Sequence, residues 1–185
     1  MHQATTKKET SPVLAPVDFS AAAAESLLLA AQQADCLSRP LVVLHVAHDT
    51  AGRSSIYRRR NKQEQILPIA AIAEIMLRDF LDGMRAQHPD SPELAKAKMI
   101  VVSGLPATRI LEVAHQIEAG LIVMAGKGRS NLSKLLGGSV SEEVARQSPV
   151  PVTIIHANGT VVECGSNNMR RAGEADPSSA RVGLG

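Results

Sequence analysis

Residues 121–140, LIVMAGKGRSNLSKLLGGSV, constrain this chain more than any other stretch. Leu121 to Met124 is an unbroken apolar run, the signature of a short strand buried on both faces of a parallel sheet. Ala125, Gly126, Lys127, Gly128, Arg129 and Ser130 follow as a basic, hydroxyl-bearing turn. Gly138-Ser139 then precede Val140, Val144 and Ala145, which recur at helical spacing. A glycine turn at the carboxyl end of a strand, with a second Gly-Ser pair opening a helix, offers backbone N–H groups to an anion. Glycine suits the role because left-handed backbone costs it little and no Cβ blocks a ligand. Without a ligand, the same residues make a tight strand-to-helix turn.

The rest of the chain repeats the pattern. Val13 to Val17 reads as a short strand that Pro16 brings to its exit, followed by Asp18-Phe19-Ser20. Ser20 is a good N-cap for the alanine-rich helix that runs to about Leu37. Pro40 to Ala47 (PLVVLHVA) is a second buried strand. Ile69, Ile72, Ala73, Met76, Phe80, Leu81 and Met84 recur in steps of three and four, which predicts an amphipathic helix over 66–87 with Pro68 in its first turn. His88 to Pro92 ends it as a loop. Lys98 to Val102 is a third strand, and a helix from about Ala107 to Glu118 follows, with Gly120 as its C-terminal cap. Ser139 to Gln147 forms a last helix and Val150 to Ile155 a fifth strand. Strands alternating with helices at this spacing imply an α/β fold, parallel strands with helices on both faces. In such sheets ligands sit beyond the carboxyl ends of the strands, where strand order reverses.

Composition limits the function classes. The chain has 185 residues, 44% of them hydrophobic, enough to bury a core in one domain. With 2% aromatics and no Trp, that core is aliphatic. A net charge of +2 gives no argument for a nucleic-acid partner. Cys36 and Cys164 are far apart and form no CxxC, so the expectation is two reduced thiols in a cytoplasmic protein, with no metal site. No apolar run approaches the roughly 18 residues of a membrane span, and the start has no signal-peptide core.

Three of these features together resemble the universal stress protein family: the PVDFS opening at 16–20, the His45-Val46 strand end, and the glycine motif. Nucleotide-binding members carry a glycine, two residues, a second glycine, nine residues and Gly-Ser. Aligned on Gly128, Gly138-Ser139 fall at that spacing, but the first family glycine falls on Ala125, with Gly126 one position late. If that position needs φ > 0, an L-residue costs about 1–2 kcal/mol there, so the site reads as weakened and not lost. The resemblance covers Val13 to Ile155 and implies a domain over 12–156. It implies a five-stranded parallel open sheet of order 3-2-1-4-5, Rossmann-like and of the adenine-nucleotide α-hydrolase type, with helices on both faces. It further implies a stress-response regulator or sensor that binds ATP or AMP, with or without Mg2+. Pro16, Val17 and Asp18 would meet the adenine, whose amine suits the Asp18 carboxylate as acceptor, together with Leu41 and Val42 of the second strand. Met124, Ala125, Gly126, Gly128, Arg129, Ser130, Gly138, Ser139 and Val140 would hold ribose and phosphates. A homodimer paired through strand five completes the expectation. The bland role for Asp18 is to cap the first helix, and for His45 a structural one. The arginine-rich loop with Arg53, Arg58, Arg59, Arg60 and Lys62 is either solvated or close enough to reach a phosphate.

Two rival readings belong to other classes. One is a dimeric stress protein that binds no nucleotide. The other is an enzyme of the wider α-hydrolase group, against which stands the lack of an SGG-x-DS loop, a His-x-Gly-His or a KMSKS motif. No acid–base pair argues for turnover, and slow ATP hydrolysis or self-phosphorylation is left open. At the chain's ends, 1–11 and most of 157–185 read as disordered by composition. One segment of the tail carries a second signal. Asn158-Gly159 between two β-prone runs is a hairpin signature that would lay 160–164 antiparallel to strand five and cover its edge.

Overall fold

Val13–Pro16 (β1) is four residues long, uncharged and buried throughout, as a strand must be at the centre of a sheet covered on both sides. In the computed structural model, which describes residues 11–48, 68–126, 139–156, 160–165 and 168–171, β1 is flanked by Leu41–Ala47 (β2) and Leu121–Gly126 (β4). Lys98–Ser103 (β3) lies beyond β2, and Val152–His156 (β5) beyond β4. These five strands are parallel and run in the order 3-2-1-4-5, as the resemblance implies. The sheet then continues. Val161–Gly165 (β6) pairs antiparallel with β5, and Asn168–Arg171 (β7) antiparallel with β6, making seven strands. Strand five is therefore not an edge.

Period-two alternation in the strands divides the core into two layers. Val13, Ala15, Leu41, Val43, Leu121 and Val123 face Ala21–Cys36 (α1), Ile69–Gln87 (α2) and Pro92–Lys96 (α3), where Leu27, Leu77, Leu81 and Leu94 are wholly buried. Leu14, Val42, Leu44, Ile122, Met124 and Ile154 face Pro106–Gln116 (α4) and Val140–Gln147 (α5) through Ile110, Val113 and Val144. Truncating one of these leucines to alanine removes about 2–5 kcal/mol. Among the described residues no helix is long and apolar enough to cross a membrane.

Local signals set most helix ends. Ser20 caps α1, its Oγ accepting from the Ala23 N–H at 3.1 Å. Ser91 and Pro92 start α3 where a loop is expected from His88 to Pro92, because the Ser91 hydroxyl caps the turn and Pro92 suits its first position. At the end of α4 it is Glu118, not Gly120, that takes the left-handed backbone (φ 51), while the Ala119 N–H returns to the Ala114 carbonyl. Gly120 answers a different need. Its N–H bonds the Pro12 carbonyl at 2.9 Å, and a Cβ there would strike the Arg39 guanidinium.

Candidate functional site

Beyond the carboxyl ends of β1, β2 and β4 lies a cavity of about 250 Å³. Pro16, Val17 and Asp18 reach it from β1, Leu44, His45 and Val46 from β2, and Met124 and Ala125 from β4. Ala23 of α1, Pro106 and Ile110 of α4, and Ser139, Val140 and Ser141 at the start of α5 complete the wall. The position follows from topology. Strand order reverses between β1 and β4, and α1 and α5, the described helices next along the chain from each, lie on opposite faces and leave a crevice. The wall is mostly aliphatic, and Asp18 is the one carboxylate on it among the described residues.

Asp18 sits on a strained turn. Among the described residues its two hydrogen bonds both fall on Oδ1, from the Ser20 N–H at 3.1 Å and the Ser20 hydroxyl at 2.6 Å. Ser20, not Asp18, caps α1, and Asp18 braces the cap. A carboxylate has about four acceptor sites, so accepting twice on one oxygen leaves capacity for a donor from a ligand. Phe19 between them has φ 64, and its ring packs at a tilt against the His45 ring, with centroids 4.2 Å apart. His45 is 5% exposed, and its Nδ1 lies 2.8 Å from the Val17 carbonyl. A carbonyl only accepts, so Nδ1 carries the proton in the neutral ring. Burial pushes the His45 pKa below its ordinary value, outweighing the opposing pull of that bond and of the Asp18 charge. His45 is thus a neutral strut tying β2 to the segment that carries Asp18.

On the other wall, α5 opens with a capping box. The Ser139 Oγ accepts from the Glu142 N–H at 3.2 Å, and the Glu142 carboxylate accepts from the Ser139 N–H at 3.4 Å. The Ser139 and Ser141 hydroxyls are 3.0 Å apart. Ala125 lies within β4, opposite Ile155, and is not among the residues with positive φ. It therefore bears none of the left-handed cost considered from sequence. Gly126 is a strand residue too. Its missing Cβ leaves room for His156 and Ile154, whose side-chain atoms would lie 2.7 Å from one.

Of the residues expected at the site, the cavity brings together Pro16, Val17, Asp18, Met124, Ala125, Ser139 and Val140. Leu41 and Val42 are elsewhere: they begin β2, opposite Val13 and Leu14, at the far end of the strand. Leu44 stands opposite Pro16, so Leu44 to Val46 occupy the level assigned to them. Matching the ends of the two runs, and not their starts, would have found this. Gly126 packs against β5 outside the cavity lining. Gly128, Arg129, Ser130 and Gly138, like Lys127 and the arginine-rich loop at 53–62, lie outside the described residues. Ala23, Pro106, Ile110 and Ser141 carry no motif and are recognised only from their place on the wall.

A sequence model of the universal stress protein family matches residues 9–156. A universal stress protein of Mycolicibacterium smegmatis is 31% identical over 144 residues, which cover 78% of this chain and 45% of the relative. For it and for curated relatives from Methanocaldococcus jannaschii and Bacillus subtilis, the aligned segment spans 33% to 45% of the relative's own length. Two solved structures share the fold. A universal stress protein in complex with cAMP has a TM-score of 0.56 at 21% identity, over 79% of this chain and 97% of that one. The universal stress protein from Archaeoglobus fulgidus in complex with dAMP has a TM-score of 0.52 at 18% identity, over 78% and 96%.

Proposed function

Because this chain belongs to the universal stress protein family, we propose that its cavity takes the base of an adenine nucleotide, and that the protein works by binding, as a stress-response regulator or sensor. The observation that carries the reading is the cavity itself: apolar walls at the β1–β4 switch point with Asp18 on its rim and the start of α5 beside it. At about 250 Å³ it is slightly smaller than the roughly 300–1,000 Å³ of sites for whole drug-sized ligands. Its size suits a base, with ribose and phosphates extending toward the start of α5. Asp18 would accept from the adenine amine, and the aliphatic side chains of Val46, Ile110 and Met124 would pack on the ring. The partners in the two ligand-bound relatives, cAMP and dAMP, share an adenine and a single phosphate. ATP or AMP is the ligand proposed here, with Mg2+ accompanying the former. Cytoplasmic location accords with this role.

Calorimetric titration with AMP, ATP and cAMP tests the reading. Asp18→Asn exchanges an acceptor for a group that also donates, and a hydrogen bond to a charged group contributes about 1.5–3 kcal/mol. Affinity should fall by about 10- to 100-fold with the circular dichroism unchanged. Absence of binding to the unaltered protein at millimolar nucleotide would favour the second reading, a stress protein without nucleotide. That reading draws on the capping box, in which Ser139 already uses its N–H and hydroxyl internally.

A further inference from the structure

We propose that Glu142 sets the charge selectivity of the cavity: its carboxylate holds the place at the start of α5 that a ligand phosphate would take, and so weakens adenine ligands in step with their charge. The inference rests on the nucleotide reading and adds a residue that the wall itself does not include. Ser139, Val140 and Ser141 line the cavity, and Glu142 follows them in the chain as an exposed residue. Its carboxylate accepts from the Ser139 N–H at 3.4 Å, while the Ser139 hydroxyl accepts from the Glu142 N–H at 3.2 Å. The backbone donor that a wall residue would offer an anion is thus already held by an anion of the protein.

The charges around the cavity point the same way. A helix start attracts negative charge through its N–H groups and its dipole. In α5 that attraction is already shared by Glu142 and Glu143, both in the first turn. Asp18 adds a further carboxylate, and among the described residues no lysine or arginine lines the wall. A phosphate arriving here must displace the Glu142 carboxylate from the Ser139 N–H or lie beside it. Either event costs more as the ligand's charge grows. The phosphodiester of cAMP carries one negative charge, and a phosphate monoester such as that of AMP carries about −1.5 to −2 at neutral pH. Uncharged adenosine meets neither cost.

Glu142→Gln isolates the charge, because a capping box accepts glutamate or glutamine at this position. Calorimetric titrations with adenosine, cAMP and AMP, with a chelator present, compare this variant with the unaltered protein. Adenosine affinity should be unchanged and cAMP affinity raised. AMP affinity should rise further, by at least about fivefold, the strength of two unit charges roughly 4 Å apart in bulk water. Glu142→Ala, which gives up the acceptor as well, should raise the AMP-to-adenosine ratio in the same sense. Glu143→Gln removes the same charge one residue on, where the carboxylate accepts from the Gln147 side chain at 3.2 Å. Solvent screening there should hold AMP affinity within about twofold of the unaltered protein. A fall in AMP affinity in Glu142→Gln, or an equal gain in Glu143→Gln, would overturn the proposal. Adenosine binding with an unmoved AMP-to-adenosine ratio sinks this inference alone. Failure of every ligand to bind any of the proteins sinks the nucleotide reading and this inference with it.

Discussion

Phe19 shows how the site is held at the scale of single residues. With Ser38 and Glu118 it is one of three non-glycine residues with positive φ among those described, but the other two close helices. A left-handed backbone costs an L-residue about 1–2 kcal/mol. Offsetting it are ring contacts with His45 at 4.2 Å and Phe80 at 5.7 Å, each contributing about 0.5–1.5 kcal/mol beyond burial. Both Phe19→Gly and Phe19→Ala lose the ring, but only glycine relieves the backbone. Urea denaturation should find the glycine variant more stable than the alanine variant by about 1–2 kcal/mol, the reverse of their order in a helix. Equal stability would mean that the turn relaxes when the ring is removed. His45 makes a pH-dependent contribution. Its folded pKa lies below the ordinary 6.5, so the unfolded chain takes up the proton first as pH falls. The neutral ring's contribution is whole above about pH 6.5 and is lost progressively below it. His45→Gln should flatten the fall in Tm between pH 7 and 5 relative to the unaltered protein. An unchanged slope would assign the acid sensitivity to other groups.

At the scale of elements, α5 bears on both stability and the ligand reading. It is eight residues long, too short to persist without its cap and its packing through Val144. Ser139→Ala should cost about 1 kcal/mol. Ser139→Asp separates the two roles, because aspartate caps about as well as serine while placing a negative charge at the mouth of the cavity. Stability should stay near that of the unaltered protein, and ATP affinity should fall below that of the alanine variant. An aspartate variant that binds ATP normally would remove the phosphate from the start of α5.

The whole molecule is graded from the centre of the sheet outward. Leu14 of β1 and Ile122 of β4 are 0% exposed and lie between helices on both faces, whereas β3 exposes Lys98, Met99 and Ser103. Hydrogen exchange should therefore be slowest at Leu14 and Ile122, requiring global unfolding. Amides of β3 should exchange at least about tenfold faster, a difference of about 1.4 kcal/mol. Equal protection across the sheet would show that β3 opens only with the core.

What the sequence by itself determined is what depends on near neighbours. The apolar runs marked all five parallel strands, periodicity of three and four marked α2, and serines at 20 and 139 marked helix starts. Asp18 and Ser139 were legible as residues of the cavity wall because each ends or begins an element whose type the local pattern already decides. Tertiary structure alone decided what depends on register between distant segments. Leu44 to Val46, not Leu41 and Val42, meet the cavity because the offset of β2 on β1 is set by pairing, which no local window contains. Gly126 leaves room for His156 and Ile154, and Gly120 lies against Arg39, partners distant in the chain that no local window contains. The tail offered two readings because Asn158-Gly159 favours a hairpin while the composition around it favours disorder. The choice fell to the hairpin because β5 presents an apolar edge and Cys164 and Val162 find a core layer to complete.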